Sequence, residues 1–276
     1  MNIIEILKYV LLGVVQGFTE PIPISSSGHL LILKKLFKLN TLNDLNFEII
    51  VNFGSFVAIF FLYRKEILRI ISDFFNYIKT KKSDFKVNYD YAILIVIATI
   101  PAGILGLIFK DKIDMISGNI KLIGIALLIT SFALFLIKDE TGVKDKNKIS
   151  FLNAILIGLF QAIALLPGIS RSGSTIVGGM LCNLNKETAV NFSFMLYLPI
   201  SIATLILGVK DLLAISNIGS LVLPYTLGMI SSCVVTYFSA KWFLNIIKKG
   251  KLIYFSIYCL IVGLLVVILL WFYANN

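Results

Sequence analysis

Charge is scarce in this chain. Asp, Glu, Lys and Arg make up 14% of its 276 residues, against 58% hydrophobic residues. Mean hydropathy is +0.92. A soluble domain cannot hide that much apolar surface, so the composition excludes a soluble fold and predicts a polytopic membrane protein. No polar stretch is long enough to bury a core of its own; the longest are about 64–88 and 138–150. Residues 1–276 therefore read as one integral membrane domain. Acidic residues are fewer than basic ones, 15 against 25, for a net charge of +10. The lysines lie mostly in loops between apolar segments, which points to topology and lipid headgroups rather than nucleic acid. The three cysteines, Cys182, Cys233 and Cys259, show no CxxC spacing and read as buried structural thiols, not as a disulfide or metal site. Histidine occurs once, as His29. The apolar run Met1 to Phe18 is not followed by a small-x-small cleavage site and reads as mature sequence.

Six stretches are long enough to span a bilayer: about 46–63, 89–109, 118–138, 187–209, 219–247 and 252–273. Four others are short or broken, about 3–19, 25–37, 150–165 and 172–183. These four form two pairs, each joined by a Pro-containing turn, and each pair reads as a re-entrant helical hairpin. Backbone exposed at that depth is tolerated only where it is buried in protein or lines a cavity.

The two pairs are copies of one segment. Leu12 to Leu30 aligns without a gap to Ile157 to Thr175, and Gly13, Gln16, Ile24, Ser25, Ser27 and Gly28 recur as Gly158, Gln161, Ile169, Ser170, Ser172 and Gly173. Each half, about 1–138 and 150–276, then holds one hairpin and three spans. Three is odd, so the second half is expected upside down relative to the first, an inverted-topology repeat. Lysine bias orients it. Segments 64–88, 138–150 and 241–251 carry most of the Lys and Arg and are predicted cytoplasmic, with both termini and the 39–45 loop outside. The contrary cluster is Lys34, Lys35 and Lys38. The first hairpin then dips in from outside, the second from the cytoplasm, and their tips meet near the midplane.

Ionisable side chains at such depth are costly and usually functional. The segment map leaves Glu20 and Arg171 clearly deep, with His29 beside them. A bare structural ion pair would not need the surrounding hydroxyls, Ser25, Ser26 and Ser27 in one copy and Ser170, Ser172, Ser174 and Thr175 in the other. Some of these are expected to be helix caps. Gly168, Ser170, Arg171, Ser172 and Gly173 open an apolar helix, and Gly, Ser and Arg at a helix N-terminus suit an anion, phosphate above all. Arg171 adds a planar fork matching phosphate oxygens. Gln16 and Glu20 share a helix face. Glu20 is placed to orient a nucleophile or help hold a divalent cation, and His29 to move a proton near neutral pH.

Gln16-Gly17-Phe18-Thr19-Glu20 followed by Ser25-Ser26-Ser27-Gly28-His29 resembles the (E/Q)xxxE and SS(S/T)GH signature of the undecaprenyl-diphosphate phosphatase family of bacterial inner membranes. Pro167 to Thr175 resembles that family's PGxSRSxxT signature. The resemblance covers the whole chain in length and segment layout. It departs in having Gln16 where family members often have Glu, which leaves Glu20 as the one deep carboxylate. The resemblance implies hydrolysis of a C55 isoprenyl diphosphate to its monophosphate with a divalent cation, Mg2+ or Ca2+, held by Glu20 with Gln16. It also implies recycling of the carrier lipid for cell-wall synthesis, reduced bacitracin sensitivity and a homodimer in the bacterial cell membrane; the topology read from the lysines adds a site open to the outer face. Catalysis would fall to Glu20, Ser26, His29 and Arg171, and substrate binding to Gln16, Ser25, Ser27, Gly168, Ser170, Ser172, Gly173 and Thr175. The nucleophile stays open between Ser26, His29 and a metal-bound water, with Ser26 favoured. The rival class is an inverted-repeat transporter or flippase for an anionic lipid phosphate, in which Glu20 would repel the cargo.

Overall fold

The computed structural model describes residues 3–37, 45–117, 119–213 and 218–275. Apart from one isolated bridge between Lys144 and Leu184, the regular structure among them is helical. In chain order the helices are α1 (Ile3–Thr19), α2 (Ser26–Leu36), α3 (Leu45–Thr80), α4 (Ser83–Ile108), α5 (Lys110–Ser117) and α6 (Ile120–Leu136). After a 3-10 turn at Lys146–Lys148 come α7 (Phe151–Ile163), α8 (Arg171–Leu181), α9 (Lys186–Leu213), α10 (Ile218–Lys248) and α11 (Ile253–Asn275). Four of them, α3, α4, α9 and α10, contain stretches long and apolar enough to cross a membrane, with 24 to 35 residues each. The predicted spans 118–138 and 252–273 form α6, of 17 residues, and α11, of 23, which pack along each other. The protein is an integral membrane protein with an all-helical fold.

The short segments pair as the repeat predicts. α1 turns into α2 and α7 into α8. Both turns end in a serine cap: Ser25 Oγ accepts from Gly28 N at 3.2 Å and Ser170 Oγ from Gly173 N at 3.1 Å. Each cap satisfies one of the orphan amides of a helix N-terminus. The two hairpins return to different ends of the molecule. Lys8 Nζ donates to Phe37 O at 3.1 Å, and Tyr9 packs on Phe47 near the start of α3, so α1 and α2 close at the Glu48 end. Lys144 N donates to Asn183 O at 2.9 Å and Lys146 Nζ to Glu66 at 3.0 Å, so α7 and α8 close at the Glu66 end. Glu48 and Glu66 lie on the same helix, about 27 Å apart at 1.5 Å per residue.

Each hairpin is locked against a long helix of the other half. α1 lies along α10 and α7 along α4. The contacts need glycine. A Cβ on Gly13 would sit 2.2 Å from Gly228 O, and one on Gly158 would sit 2.5 Å from Ala98 O. These two glycines occupy matching positions of the repeat.

Three features depart from the sequence reading. Residues 64–80 are not loop but the continuation of α3, and Lys81, at φ 54, turns the chain directly into α4. Packing of Phe74 and Tyr77 on Tyr89 of α4 lets the helix run on past the span. Lys110–Ser117 forms the additional short helix α5. Lys34 is not a loop charge: it is 1% exposed and bonds Glu48 at 2.7 Å. Lys38 and the predicted outer loop up to residue 44 lie outside the described residues. All three cysteines are free; Cys182 and Cys259 are buried and Cys233 is half-buried.

Candidate active site

The two capped turns meet around Glu20. The carboxylate sits just past the end of α1, where Glu20 N still bonds Gln16 O at 2.9 Å. One turn of helix brings the Gln16 side chain alongside, and its Nε2 donates to Glu20 Oε2 at 2.8 Å. Ser26, the first residue of α2, donates its Oγ–H to the same oxygen at 2.6 Å. From the other repeat, Arg171, the first residue of α8, donates Nη2–H to Glu20 Oε1. Arg171 also lies over the Tyr197 ring, 4.2 Å from its centroid, and Tyr197 is fixed by donating its hydroxyl to Asn52 O at 2.9 Å. The ion pair that the polar constellation suggested is therefore formed, inside a larger cluster. Glu20 is 7% exposed and Arg171 23% by side chain. A pair so buried attracts strongly, and breaking it by removing one partner would leave an uncompensated charge.

These groups line a cavity of about 430 Å³. Its polar floor is Glu20, Ser25, Ser26, Ser27, Gln161, Ser170, Arg171 and Ser172, and its walls come from α3, α4, α5 and α9. The rim holds Glu48 and Lys110, at the end of the molecule away from Glu66. Because α2 and α8 both begin at this floor, their first-turn amides have no carbonyl one turn earlier to bond, and both helix dipoles present their positive ends to it. Two positive helix ends and a guanidinium facing one carboxylate make a site suited to an added anion.

The hydroxyls divide between floor and framework. Ser25 and Ser170 cap their helices, and Ser170 N donates to Thr130 Oγ1 at 3.2 Å. Ser172 Oγ donates to Ile22 O at 3.1 Å and so ties the two turns together. Thr175 is buried off the cavity, bonding Ser193 at 2.6 Å and the Arg171 carbonyl at 3.0 Å. Gly168, at φ +90, shapes the turn, and Gly173 packs against Ser170 and Pro23. His29 is not among the cavity residues. Its Nδ1 lies 2.7 Å from Ser25 O and its Nε2 2.8 Å from the Tyr258 hydroxyl on α11. The structure thus brings Gln16, Glu20, Ser26 and Arg171 together and turns His29 away from them.

Four neighbours escaped the sequence reading: Tyr197, Tyr258, and the pair Lys34–Glu48. The tyrosines carry no local signal. Glu48 did, as a carboxylate inside a predicted span. Gln161, recognised only as a repeat partner, lines the cavity floor; its Nε2 reaches Ala98 O at 3.5 Å and its Oε1 is buried with no hydrogen-bond partner. Among the described residues no three His, Cys, Asp or Glu side chains cluster as a metal cage.

Residues 9–265 match the family model described as bacitracin resistance protein BacA. The chain is 46% identical over 265 residues to undecaprenyl-diphosphatase 2 of Bacillus thuringiensis, covering 96% of this chain and 98% of that protein. It is 44% identical over 269 residues to undecaprenyl-diphosphatase 1 of Bacillus licheniformis, covering 97% and 99%. To undecaprenyl-diphosphatase of Oceanobacillus iheyensis it is 42% identical over 276 residues, covering 98% and 100%. With this extent and identity, the chain belongs to the BacA family of bacitracin resistance proteins.

Proposed function

We propose that this protein hydrolyses undecaprenyl diphosphate to undecaprenyl phosphate and inorganic phosphate, returning the lipid carrier to cell-wall synthesis and lowering bacitracin sensitivity. The observation that carries the proposal is the carboxylate–serine–arginine cluster at the floor of a cavity with apolar walls. Its relatives are named for this activity. The cavity volume, about 430 Å³, suits a diphosphate head and the first part of a tail, within the usual range for ligand sites. The remaining tail would leave between α4 and α9, where Gly103 has nothing within 4 Å of its Cβ position and Leu107, Thr204 and Leu207 line the cavity while exposed.

The mechanism follows from the side chains. Substrate phosphate displaces the Glu20 carboxylate from Arg171, whose fork then holds the terminal phosphoryl oxygens alongside the amides of α8. Glu20 keeps its bond to Ser26 and accepts the serine proton as Oγ attacks phosphorus. The P–O bond to the lipid monophosphate breaks in line, and the lipid phosphate leaves toward the cavity mouth. Glu20 passes the serine proton to the departing lipid phosphate; water then attacks the phosphoserine and gives a proton to Glu20, which hands it to Ser26 Oγ as the bond to phosphorus breaks, and phosphate is released. Gln16 fixes the rotamer of Glu20 through its amide. His29 acts through the turn: by bonding Ser25 O it holds a residue at φ 68 that aims Ser26. A single carboxylate fits a cation shared with substrate rather than one caged by protein. Mg2+ or Ca2+ entering with the diphosphate would be held by Glu20, with Gln16 as a neutral ligand, and would neutralise phosphate charge.

The same reading makes the protein an inverted-topology repeat in the bacterial cell membrane, with the cavity open to the outer face. Its support is the closure of the two hairpins at opposite ends and the gathering of basic segments at one of them. There Lys146 meets Glu66, Lys186 Nζ bonds the carbonyls of Lys138 and Gly250, and Lys248 lies 3.6 Å from Glu187. A flippase for the lipid phosphate is the second reading, favoured by the same architecture. Ser26 at 2.6 Å from Glu20 speaks for hydrolysis, since passage of an anion has no use for a serine held by a base. Purified protein in detergent or liposomes, given long-chain isoprenyl diphosphate and Mg2+ or Ca2+, should release one phosphate per lipid and stop at the monophosphate, with the rate falling on chelation. No release with either cation would refute the proposal.

A further inference from the structure

The α3–α4 arm carries an apolar stripe that none of the other described residues covers. At about 100° per residue, Leu68, Ile71, Phe75 and Ile78 fall within about 80° of one another on α3. They are 47 to 61% exposed. The opposite side of the helix packs on α4, where Phe74 stacks on Tyr89 at 5.2 Å, Tyr77 meets the same ring at 4.6 Å, and Asn88 donates to Asp73. The arm is thus a packed two-helix unit with one apolar edge turned outward. That edge runs on along the same helix, past Arg64, whose guanidinium lies 4.9 Å from the centroid of the Phe61 ring, to the lipid-facing row at Phe61, 57% exposed.

Along its flank stand the exposed cations Lys65, Arg69 and Lys79, and at the tip Lys81, Lys82 and Lys86. Two of the acids nearby are already engaged, Glu66 by Lys146 and Asp73 by Asn88 and Arg69; Asp84 and Asp90 remain exposed. The helix has 36 residues, about 54 Å at 1.5 Å each, against a hydrocarbon core of about 30 Å. Its distal part must either stand in water with the stripe exposed or lean onto the membrane.

We propose that the α3–α4 arm leans onto the anionic surface of the leaflet on its own side, with Leu68, Ile71, Phe75 and Ile78 sunk to headgroup level. Lys65, Arg69 and Lys79 bond lipid phosphates beside them. Continuity of the lipid-facing row sets the direction of lean, and the flanking cations select anionic over neutral lipid. A second copy pairing through the stripe would bring both sets of flanking cations together, so the surface fits lipid better than itself.

The test uses full-length protein carrying Phe75→Trp, with Trp242→Phe and Trp271→Phe, in vesicles of phosphatidylcholine alone or with phosphatidylglycerol. Brominated lipid should quench roughly half of the emission in anionic vesicles, as for a ring at headgroup depth, and clearly less in neutral ones. Adding Lys65→Gln, Arg69→Gln and Lys79→Gln should bring the anionic value down to the neutral one while phosphate release is kept. Quenching by aqueous iodide but not by brominated lipid would place the arm in water and overturn the proposal. Protection from both quenchers would put a protein surface over the stripe and overturn it equally. Equal lipid quenching in both vesicles, unmoved by the Gln substitutions, would overturn the charge recognition.

Discussion

Ser26 and Arg171 occupy the same position of the repeat, the first residue after a serine cap, yet they do opposite work. Both side chains reach Glu20, one from each half. If Ser26 is the nucleophile, Ser26→Ala should nearly stop phosphate release while costing little stability, because the cap of α2 is Ser25 and not Ser26. Folded Ser26→Ala protein turning over within a few-fold of the parent would transfer the attack to water. Arg171→Ala should lose on the order of 100-fold or more in rate, as for a group that meets charge developing in the transition state. Arg171→Lys should stay badly impaired, because one ammonium replaces neither the fork nor the face that lies on Tyr197. Steady-state rates of both variants, beside a thermal melt to show folding, decide this. The sequence revealed these partners because each lies in a short motif with a strong local signal. It could not place His29, since the Tyr258 hydroxyl that its Nε2 meets lies on a helix 229 residues away.

At the level of elements, two glycines decide whether the hairpins seat. Gly13 touches α10 and Gly158 touches α4 at points where an added methyl would meet a carbonyl oxygen. Alanine at either is expected to part the helices and cost about 1–3 kcal/mol, the usual range for overpacking. A lower melting temperature in detergent for both variants would show it; an unchanged one would mean the helices part without strain. The hairpins themselves were legible, because serine caps, proline turns and apolar stretches are encoded within a dozen residues. The ends of α3 and α4 were not. Lysine-rich sequence between spans looks like a loop, and only the pairing of Phe74, Tyr77 and Tyr89 across the arm shows why it stays helical. Lys34 misled in the same way: a lysine near a segment end reads as solvated until Glu48 on another helix claims it.

For the whole molecule, the proposed orientation rests on charge and packing together. Fifteen Lys and Arg lie in 64–88, 138–150 and 241–251, and bonds at Glu66, Lys138, Lys186 and Gly250 draw these segments to one end. At the other end, Lys34 is buried in an ion pair, so it no longer weighs against that bias. The cavity rim, with Glu48 and Lys110, lies at this second end. The proposed orientation would fix where the substrate head is met: with the basic end in the cytoplasm, the polar floor would be reached from outside. Single cysteines at Lys82 and at Lys112, in protein lacking the native three, should separate the cases in intact cells. A membrane-impermeant maleimide should label Lys112→Cys, and Lys82→Cys only after the membrane is opened. Labelling of Lys82→Cys in sealed cells would invert the molecule and turn the site toward the cytoplasm. It would then act on diphosphate lipid arriving from inside, where bacitracin in the medium does not reach it.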